Sequence, residues 1–174
     1  MRSKLFTTLL ISTLFSGLML PIFSHAAGAT TPDDEQPVNI SADSLDIQEQ
    51  AGVSIYSGNV EVTQGSMTLK GDKITIQHPN RALQSIKVIG KPALFKRLDP
   101  ETQTWVSGEA NTINYNAQKK IAILIGSAKV EQPGKHLITG PELTYDMLNK
   151  TLKAQSTPQE KRRISVTLTP EPKK

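Results

Sequence analysis

Residues 38–169 are predicted to form an all-β domain of about a dozen or more short strands. Apolar and polar residues alternate at period two almost without interruption from Val38 to Leu168, as in strands with one buried face. Turn-forming residues separate the alternating runs, and no window shows the 3.6-residue apolar stripe of an amphipathic helix. The turn sequences are His78-Pro79-Asn80, Gly90-Lys91-Pro92, Asp99-Pro100-Glu101 and Gln132-Pro133-Gly134.

The first 26 residues are interpreted as a secretory signal peptide. Arg2 and Lys4 precede an apolar run from residue 5 to residue 20, and Pro21 ends that run. The following Ser24-His25-Ala26 places small residues at the −3 and −1 positions of a cleavage site, so the mature chain is expected to begin at Ala27. The alternative is an uncleaved membrane anchor, because the apolar run is almost long enough to span a bilayer.

The rest of the chain divides into three parts. Residues 27–37 are small, acidic and proline-containing, and are predicted to form a flexible N-terminal segment before the β domain. Residues 170–174 form a charged tail. The basic run at residues 159–163 is interpreted as a solvated turn, and the alternative is a basic rim near anionic lipid headgroups.

Composition excludes several classes of protein. The net charge is +4, and it falls to +2 without the leader residues Arg2 and Lys4, which is too low to indicate a nucleic-acid-binding protein. The chain has no cysteine, so a disulfide scaffold is excluded. After the leader only His78 and His136 remain, too few ligands for a zinc site. Nucleophile-elbow, dinucleotide-binding and phosphate-loop motifs are absent, so no enzyme, metal or cofactor is predicted.

One block of sequence occurs twice, about 68 residues apart. Gly58 aligns with Gly126, and in the first copy the apolar positions change from odd numbers (Ile55) to even numbers (Val62) at the glycine. A two-residue hairpin loop would place Ile55 opposite Val62. A one-residue β-bulge would also change the parity, and both interpretations stay open. Either one predicts a continuous apolar face.

The second copy repeats this pattern with Ile123 before the glycine and Val130 after it. Repetition of a β unit indicates stacked strand layers rather than a fold built around one unique loop.

Three sequence blocks resemble the OstA-like family. They are Val38-x-Ile40-x-Ala42-Asp43, the run from Tyr56 to Gly65, and Gly90-Lys91-Pro92-Ala93-x-Phe95. The resemblance covers residues 38–168. It implies an elongated, open, slightly twisted β-jellyroll of about 16 antiparallel strands arranged in V-shaped layers.

The resemblance also implies a periplasmic carrier that binds the acyl chains of lipopolysaccharide. Such a carrier passes lipopolysaccharide from the anchored OstA-like protein of an inner-membrane transporter to the periplasmic domain of an outer-membrane translocon. Family lipid-contact positions fall on Val38, Ile40, Phe95 and Tyr115. The alternatives are an inner-membrane-anchored relative of the same pathway, and a structural or glycan-binding β-module that binds no lipid.

The candidate lipid-binding residues combine these four positions with the repeated apolar face. They are Val38, Ile40, Ile55, Val62, Ile76, Phe95, Ile113, Tyr115, Ile123 and Val130.

The two ends of an open jellyroll would carry unpaired strand edges, which bind other strands through backbone hydrogen bonds. The predicted edge residues are Val38, Asn39 and Ile40 at one end and Ile164, Val166 and Leu168 at the other. Because the two edges differ, head-to-tail self-association is expected.

Overall fold

The computed structural model describes residues 32–132, 134, 136–156 and 162–170 of the 174-residue chain. The predicted signal peptide and residues 171–174 of the tail lie outside the described residues. The described part contains ten strands and two short 3-10 helices, Asp33–Glu35 and Pro79–Arg81. The strands are β1 (Val38–Ser41), β2 (Ser44–Gln48), β3 (Val53–Gln64), β4 (Met67–Gln77), β5 (Ser85–Leu98), β6 (Trp105–Asn116), β7 (Ile121–Gln132), β8 (His136–Asp146), β9 (Thr151–Gln155) and β10 (Ser165–Leu168). No helix among the described residues has the length and hydropathy needed to cross a membrane.

All ten strands belong to one antiparallel sheet in the order β1-β3-β4-β5-β6-β7-β8-β10, with β2 also on β3 and β9 also on β8. The terminal strands β1 and β10 are not paired with each other in the described part, so the sheet stays open as expected. The described part has ten continuous strands, whereas about 16 were predicted. Each of the six long strands, β3 to β8, is divided by a register shift. Six strands of two parts and four short strands give sixteen segments.

The register shifts lie side by side and fold the sheet into two layers. The first layer contains β2, β9 and residues 53–57, 73–77, 85–89, 112–116, 121–125 and 142–146. The second layer contains β1, β10 and residues 60–64, 67–71, 93–98, 105–110, 128–132 and 136–140.

A contact between Leu124 and Gly108 demonstrates this folding. Gly108 pairs with Val130, which is six residues along β7 from Leu124, so a flat sheet would hold the two about 20 Å apart. Instead, the Cδ2 atom of Leu124 lies 2.8 Å from the position that a Cβ atom would take at Gly108. The two layers therefore pack face to face.

Aliphatic side chains from both layers fill the middle of the interior. Ile74, Val88 and Ile113 of the first layer and Val62 and Leu69 of the second are all less than 2% exposed. They belong to a single hydrophobic cluster. Burial of apolar surface between the layers therefore stabilises the fold.

The repeated glycines mark β-bulges, and the hairpin interpretation is wrong. β3 continues through Gly58, with one extra residue between the pairs Ser57–Lys73 and Val60–Gly71. Gly58 and Asn59 take positive φ angles of 80° and 46°, which absorb the extra residue. The second copy has the same bulge in β7, where Gly126 and Ser127 have φ angles of 80° and 51°.

The predicted continuous apolar face is wrong for Ile55 and Ile123, which lie three residues before the two glycines. Ile55 pairs with Thr75, whereas the inward Ile74 pairs with Tyr56, so Ile55 points to the outer face of the first layer. Ile123 likewise points outward, beside the inward Leu124. The reason is that two consecutive residues with positive φ separate the inward positions by four residues, so the parity on β3 and β7 does not change.

Substitution of Gly58 by alanine should destabilise the protein more than substitution of Gly134. Both glycines have positive φ, 80° and 76°, so both alanines introduce backbone strain of about 1–2 kcal/mol. A Cβ atom at Gly58 would also collide with the Asp43 carboxylate, whose oxygen accepts a 3.0 Å hydrogen bond from Asn59. Nothing described lies within 4 Å at Gly134.

We expect Gly58→Ala to cost about 1 kcal/mol more than Gly134→Ala in denaturant unfolding, the contribution of about one hydrogen bond. Equal losses would mean that Asp43 moves aside without cost. Gly126 provides a parallel case, because its Cβ atom would meet Asn111, the residue that corresponds to Asp43 in the repeat.

Residues 32–37 belong to the segment predicted to be flexible, and in the structure they are attached to the second layer. The Asp33 carboxylate accepts hydrogen bonds from the backbone N–H and the hydroxyl of Ser66, at 2.8 and 2.7 Å. The Gln36 carbonyl accepts a 3.1 Å hydrogen bond from Gln64. Residues 27–31 lie outside the described residues.

Candidate lipid-binding interior

The structure places eight of the ten candidate lipid-binding residues on the inner faces of the two layers. Ile55 and Ile123 are the two exceptions. The eight inward residues are Val38, Ile40, Val62, Ile76, Phe95, Ile113, Tyr115 and Val130. Those in the middle of the sheet are buried, whereas Ile40 and Tyr115 are partly buried against the core. The predicted face is therefore largely a packed interior that becomes accessible towards its edges.

At the N-terminal edge the inner faces end in an accessible apolar row. Val38 and Ile40 of β1 lie in the second layer, and Leu45 and Ile47 of β2 lie in the first. Val38, Leu45 and Ile47 are 46%, 53% and 52% exposed. Sequence reasoning selected Val38 and Ile40 but not Leu45 and Ile47. The alternation after Asp43 is the signal that would have identified them.

The C-terminal edge has the same construction. Val166 and Leu168 of β10 pair with Ile138 and His136 in the second layer, and they are 52% and 73% exposed. In the first layer Leu152 of β9 is partly buried against the core. Ile164 directly precedes β10 and is also exposed. Inward-facing apolar side chains thus continue from the buried core to both open edges.

Besides the two open edges, the layers enclose a small opening at the strand ends farthest from the bulges. This opening is called the mouth cleft. It has a volume of about 210 Å³. The second layer and the loop after β5 contribute Phe95, Arg97, Asp99, Pro100, Glu101 and Val106, and the end of β8 and the following turn contribute Tyr145, Met147, Leu148 and Lys150. It is the place where polar groups meet the apolar interior.

Polar contacts join the two layers across the mouth cleft. Lys150 Nζ lies 3.9 Å from Asp99 Oδ2 and forms a shorter ion pair with Glu101. The pKa of Lys150 is raised, chiefly by its hydrogen bond with Glu101. The pKa of Asp99 is lowered, chiefly by the 2.9 Å hydrogen bond from the Thr102 backbone N–H. The pKa of Tyr145 is raised, chiefly by burial of the side chain and further by the charge of Asp99. At neutral pH the cleft therefore holds an ionised Asp99 and a cationic Lys150 beside a neutral Tyr145.

Comparison with known proteins identifies related chains over most of this length. The sequence matches the family described as LptA/(LptD N-terminal domain) LPS transport protein over residues 39–151. It is 32% identical over 142 residues to the lipopolysaccharide export system protein LptH of Pseudomonas aeruginosa, covering 81% of each chain. It is 29% identical over 170 residues to the lipopolysaccharide export system protein LptA of Escherichia coli strain K12, covering 97% of this chain and 87% of that protein.

The fold agrees with these sequence matches. The crystal structure of P. aeruginosa LptH, the LptA-homologous periplasmic component of the conserved lipopolysaccharide transport device, superposes with a TM-score of 0.72 at 30% identity. The superposition covers 79% of this chain and 99% of LptH. The OstA-like resemblance is thus confirmed, and the chain belongs to the LptA/(LptD N-terminal domain) family of LPS transport proteins.

Proposed function

We propose that this chain is a periplasmic lipopolysaccharide carrier that holds the acyl chains of lipid A between its two layers. The observation that carries the proposal is the inward apolar surface, which continues from the buried core to both edges and is exposed there at Leu45, Ile47, Val166 and Leu168. The names of the relatives, which are lipopolysaccharide export proteins, support lipopolysaccharide as the cargo.

Burial of acyl chains would dominate the affinity. Each buried methylene contributes about 0.8 kcal/mol, so a 12-carbon chain contributes roughly 9 kcal/mol. An exposed contact between a charged side chain and the headgroup adds on the order of 1 kcal/mol or less. Because the core is filled around Val62 and Ile113, acyl chains would enter from the accessible edges and separate the layers. This separation costs side-chain packing, whereas the backbone hydrogen bonds of the continuous sheet can persist.

The predicted signal peptide would export the chain across the inner membrane, and cleavage before Ala27 would release it into the periplasm. The chain would then connect the anchored OstA-like protein of the inner-membrane transporter with the periplasmic domain of the outer-membrane translocon. Both contacts would use the unpaired edges, as would head-to-tail stacking of copies. Stacking would cover the exposed apolar rows and extend the interior from one copy to the next.

Photo-crosslinking on β2 tests the carrier function. Leu45 and Ile47 point into the interior, whereas Asp46 pairs with the outward Ile55, so neighbouring positions on one short strand sample the two faces. A photoreactive residue at position 47 should capture lipopolysaccharide in cells at several-fold higher yield than one at position 46, measured by immunoblot. These edge positions are better probes than Phe95, which is 6% exposed and where a bulky residue would overpack the core.

Equal yields at positions 46 and 47 would contradict acyl-chain binding at this edge. No adduct at positions 45 or 47 would instead favour a structural or glycan-binding β-module.

A further inference from the structure

Arg97 is a charged residue at an inward-facing position. It pairs with the buried Val106, two residues after the inward Phe95, near the end of β5. Its side chain is 29% exposed and lines the mouth cleft. A charge beside an apolar interior is unfavourable unless it has hydrogen-bond partners.

The guanidinium of Arg97 has few acceptors among the described residues. Nη1 donates to the sulfur of Met147 at 3.3 Å, and a thioether is a weak acceptor. Nε lies 3.5 Å from Asp33 Oδ2, which is an ion-pair distance, yet this buried nitrogen has no hydrogen-bond partner in the described part of the chain. Both oxygens of Asp33 already accept hydrogen bonds from Ser66. A group with five N–H donors is therefore incompletely paired.

Lys150, the second cation of the mouth cleft, has more ion-pair partners than Arg97. Lys150 is paired with Asp99 and Glu101, so two carboxylates balance its charge. Among the side chains that the structure describes, Asp33 is the one carboxylate at ion-pair distance from Arg97, and it is partly exposed. An incoming anion would thus be bound more favourably by Arg97 than by Lys150.

The shape of the mouth cleft fits a small anionic group at the end of a larger apolar ligand. Its volume of about 210 Å³ is below the range of pockets that enclose a whole drug-sized molecule. Phe95, Val106 and Met147 connect the cleft with the apolar interior, because the first two are buried in the core and the third packs against it. An amphiphile with acyl chains in the interior could place its charged group at Arg97.

We propose that Arg97 binds a phosphate group of the glycolipid whose acyl chains occupy the interior. A planar guanidinium forms two parallel hydrogen bonds to a phosphate and selects it over a neutral sugar hydroxyl. This inference rests on the proposed carrier function and names the part of the ligand that the mouth cleft recognises. Arg97 thereby becomes a specificity-determining residue.

Two lipids separate phosphate recognition from acyl-chain binding. The affinity of the mature-length protein would be measured for lipid A with its phosphates and for the same lipid after dephosphorylation. Arg97→Gln should weaken binding of phosphorylated lipid A by about tenfold or more, as expected for loss of charge-assisted hydrogen bonds, and that of the dephosphorylated lipid by less than about twofold. Arg97→Lys, which keeps the charge but not the fork, should be intermediate.

Lys96 provides the matched control. It is the adjacent cation on β5, but it points to the outer face, where its Nζ lies 4.2 Å from the centre of the Trp105 ring. Lys96→Gln should leave the affinity for both lipids unchanged.

Asp33→Asn tests the site in the opposite direction. It removes the carboxylate charge near Arg97 and keeps an oxygen that can accept the Ser66 backbone hydrogen bond. It should strengthen binding of phosphorylated lipid A and leave the dephosphorylated lipid unaffected, which keeps the proposal testable if Arg97→Gln folds poorly by circular dichroism.

The outcomes are distinguishable. If wild-type protein binds both lipids equally, or if Arg97→Gln weakens both equally, phosphate recognition by Arg97 is overturned and the carrier function stands. If wild-type protein binds neither lipid, the carrier function itself fails. If inorganic phosphate alone binds in an Arg97-dependent manner while the two lipids bind equally, the site takes a free anion and the inference is wrong.

Discussion

Leu124→Ala should lower the free energy of unfolding by about 2–5 kcal/mol. Leu124 is less than 2% exposed, and its Cδ2 atom reaches the Gly108 backbone of the opposite layer. Truncation removes apolar contacts and leaves a cavity between two layers that are held by the continuous sheet and cannot collapse freely. Urea unfolding followed by circular dichroism would measure the loss.

Leu94→Ala is the control for this substitution. Leu94 lies on the outer face of the second layer, paired with Glu109, and is partly exposed. Its truncation should cost less than about 1 kcal/mol. Similar small losses in both variants would mean that the middle of the interior is loosely packed. Acyl chains could then enter without separating the layers or displacing core side chains, contrary to the proposed separation of the layers.

The all-β class and the edge strands could be predicted because their signals are local. Alternation at period two and the turn sequences depend on neighbouring residues only, and they located β1 and β10 within a residue. The inward positions of Ile113 and Val130 followed from the same alternation. The number of strands could not be predicted from local signals, because a β-bulge divides a strand without a turn sequence.

The inward face of the first layer could not be read from hydrophobicity alone. Ser54 is buried and Ile55 points outward, although the apolar pattern favours the reverse. The Ser54 hydroxyl lies 2.7 Å from His78 Nε2, a hydrogen-bond partner 24 residues away in sequence. A polar residue with such a partner can be buried at little cost, but no local pattern shows that the partner exists.

Arg97 was missed for a related reason. Its parity with Phe95 places it on the inner face, but a charged residue near a strand end is ordinarily interpreted as solvated. Its functional interest came from contacts with Asp33 and Met147, which are 64 and 50 residues away in sequence. Only the folded sheet brings these groups together.

Proline substitution in β10 should suppress head-to-tail assembly. β10 pairs only with β8 in the described part, so one side of its backbone is available to another strand. N–H groups of consecutive residues point to opposite sides of a strand. Of Val166→Pro and Thr167→Pro, one therefore removes a donor to β8, and the other removes a donor that faces a neighbouring copy.

The variant that lacks the outward donor should keep its β circular-dichroism signal and assemble at least about tenfold more weakly, because proline on an edge strand blocks strand addition. Sedimentation velocity over a range of protein concentrations would measure the assembly.

The accessible Val166 and Leu168 of one copy would meet Val38, Leu45 and Ile47 of the next, so Leu45→Asp should weaken assembly from the opposite edge. A wild-type protein that remains monomeric at every concentration, or two proline variants that assemble as readily as wild type, would exclude pairing through β10. Weakening by both a proline at the C-terminal edge and a charge at the N-terminal edge would instead identify a heterologous contact that repeats from copy to copy and joins their interiors.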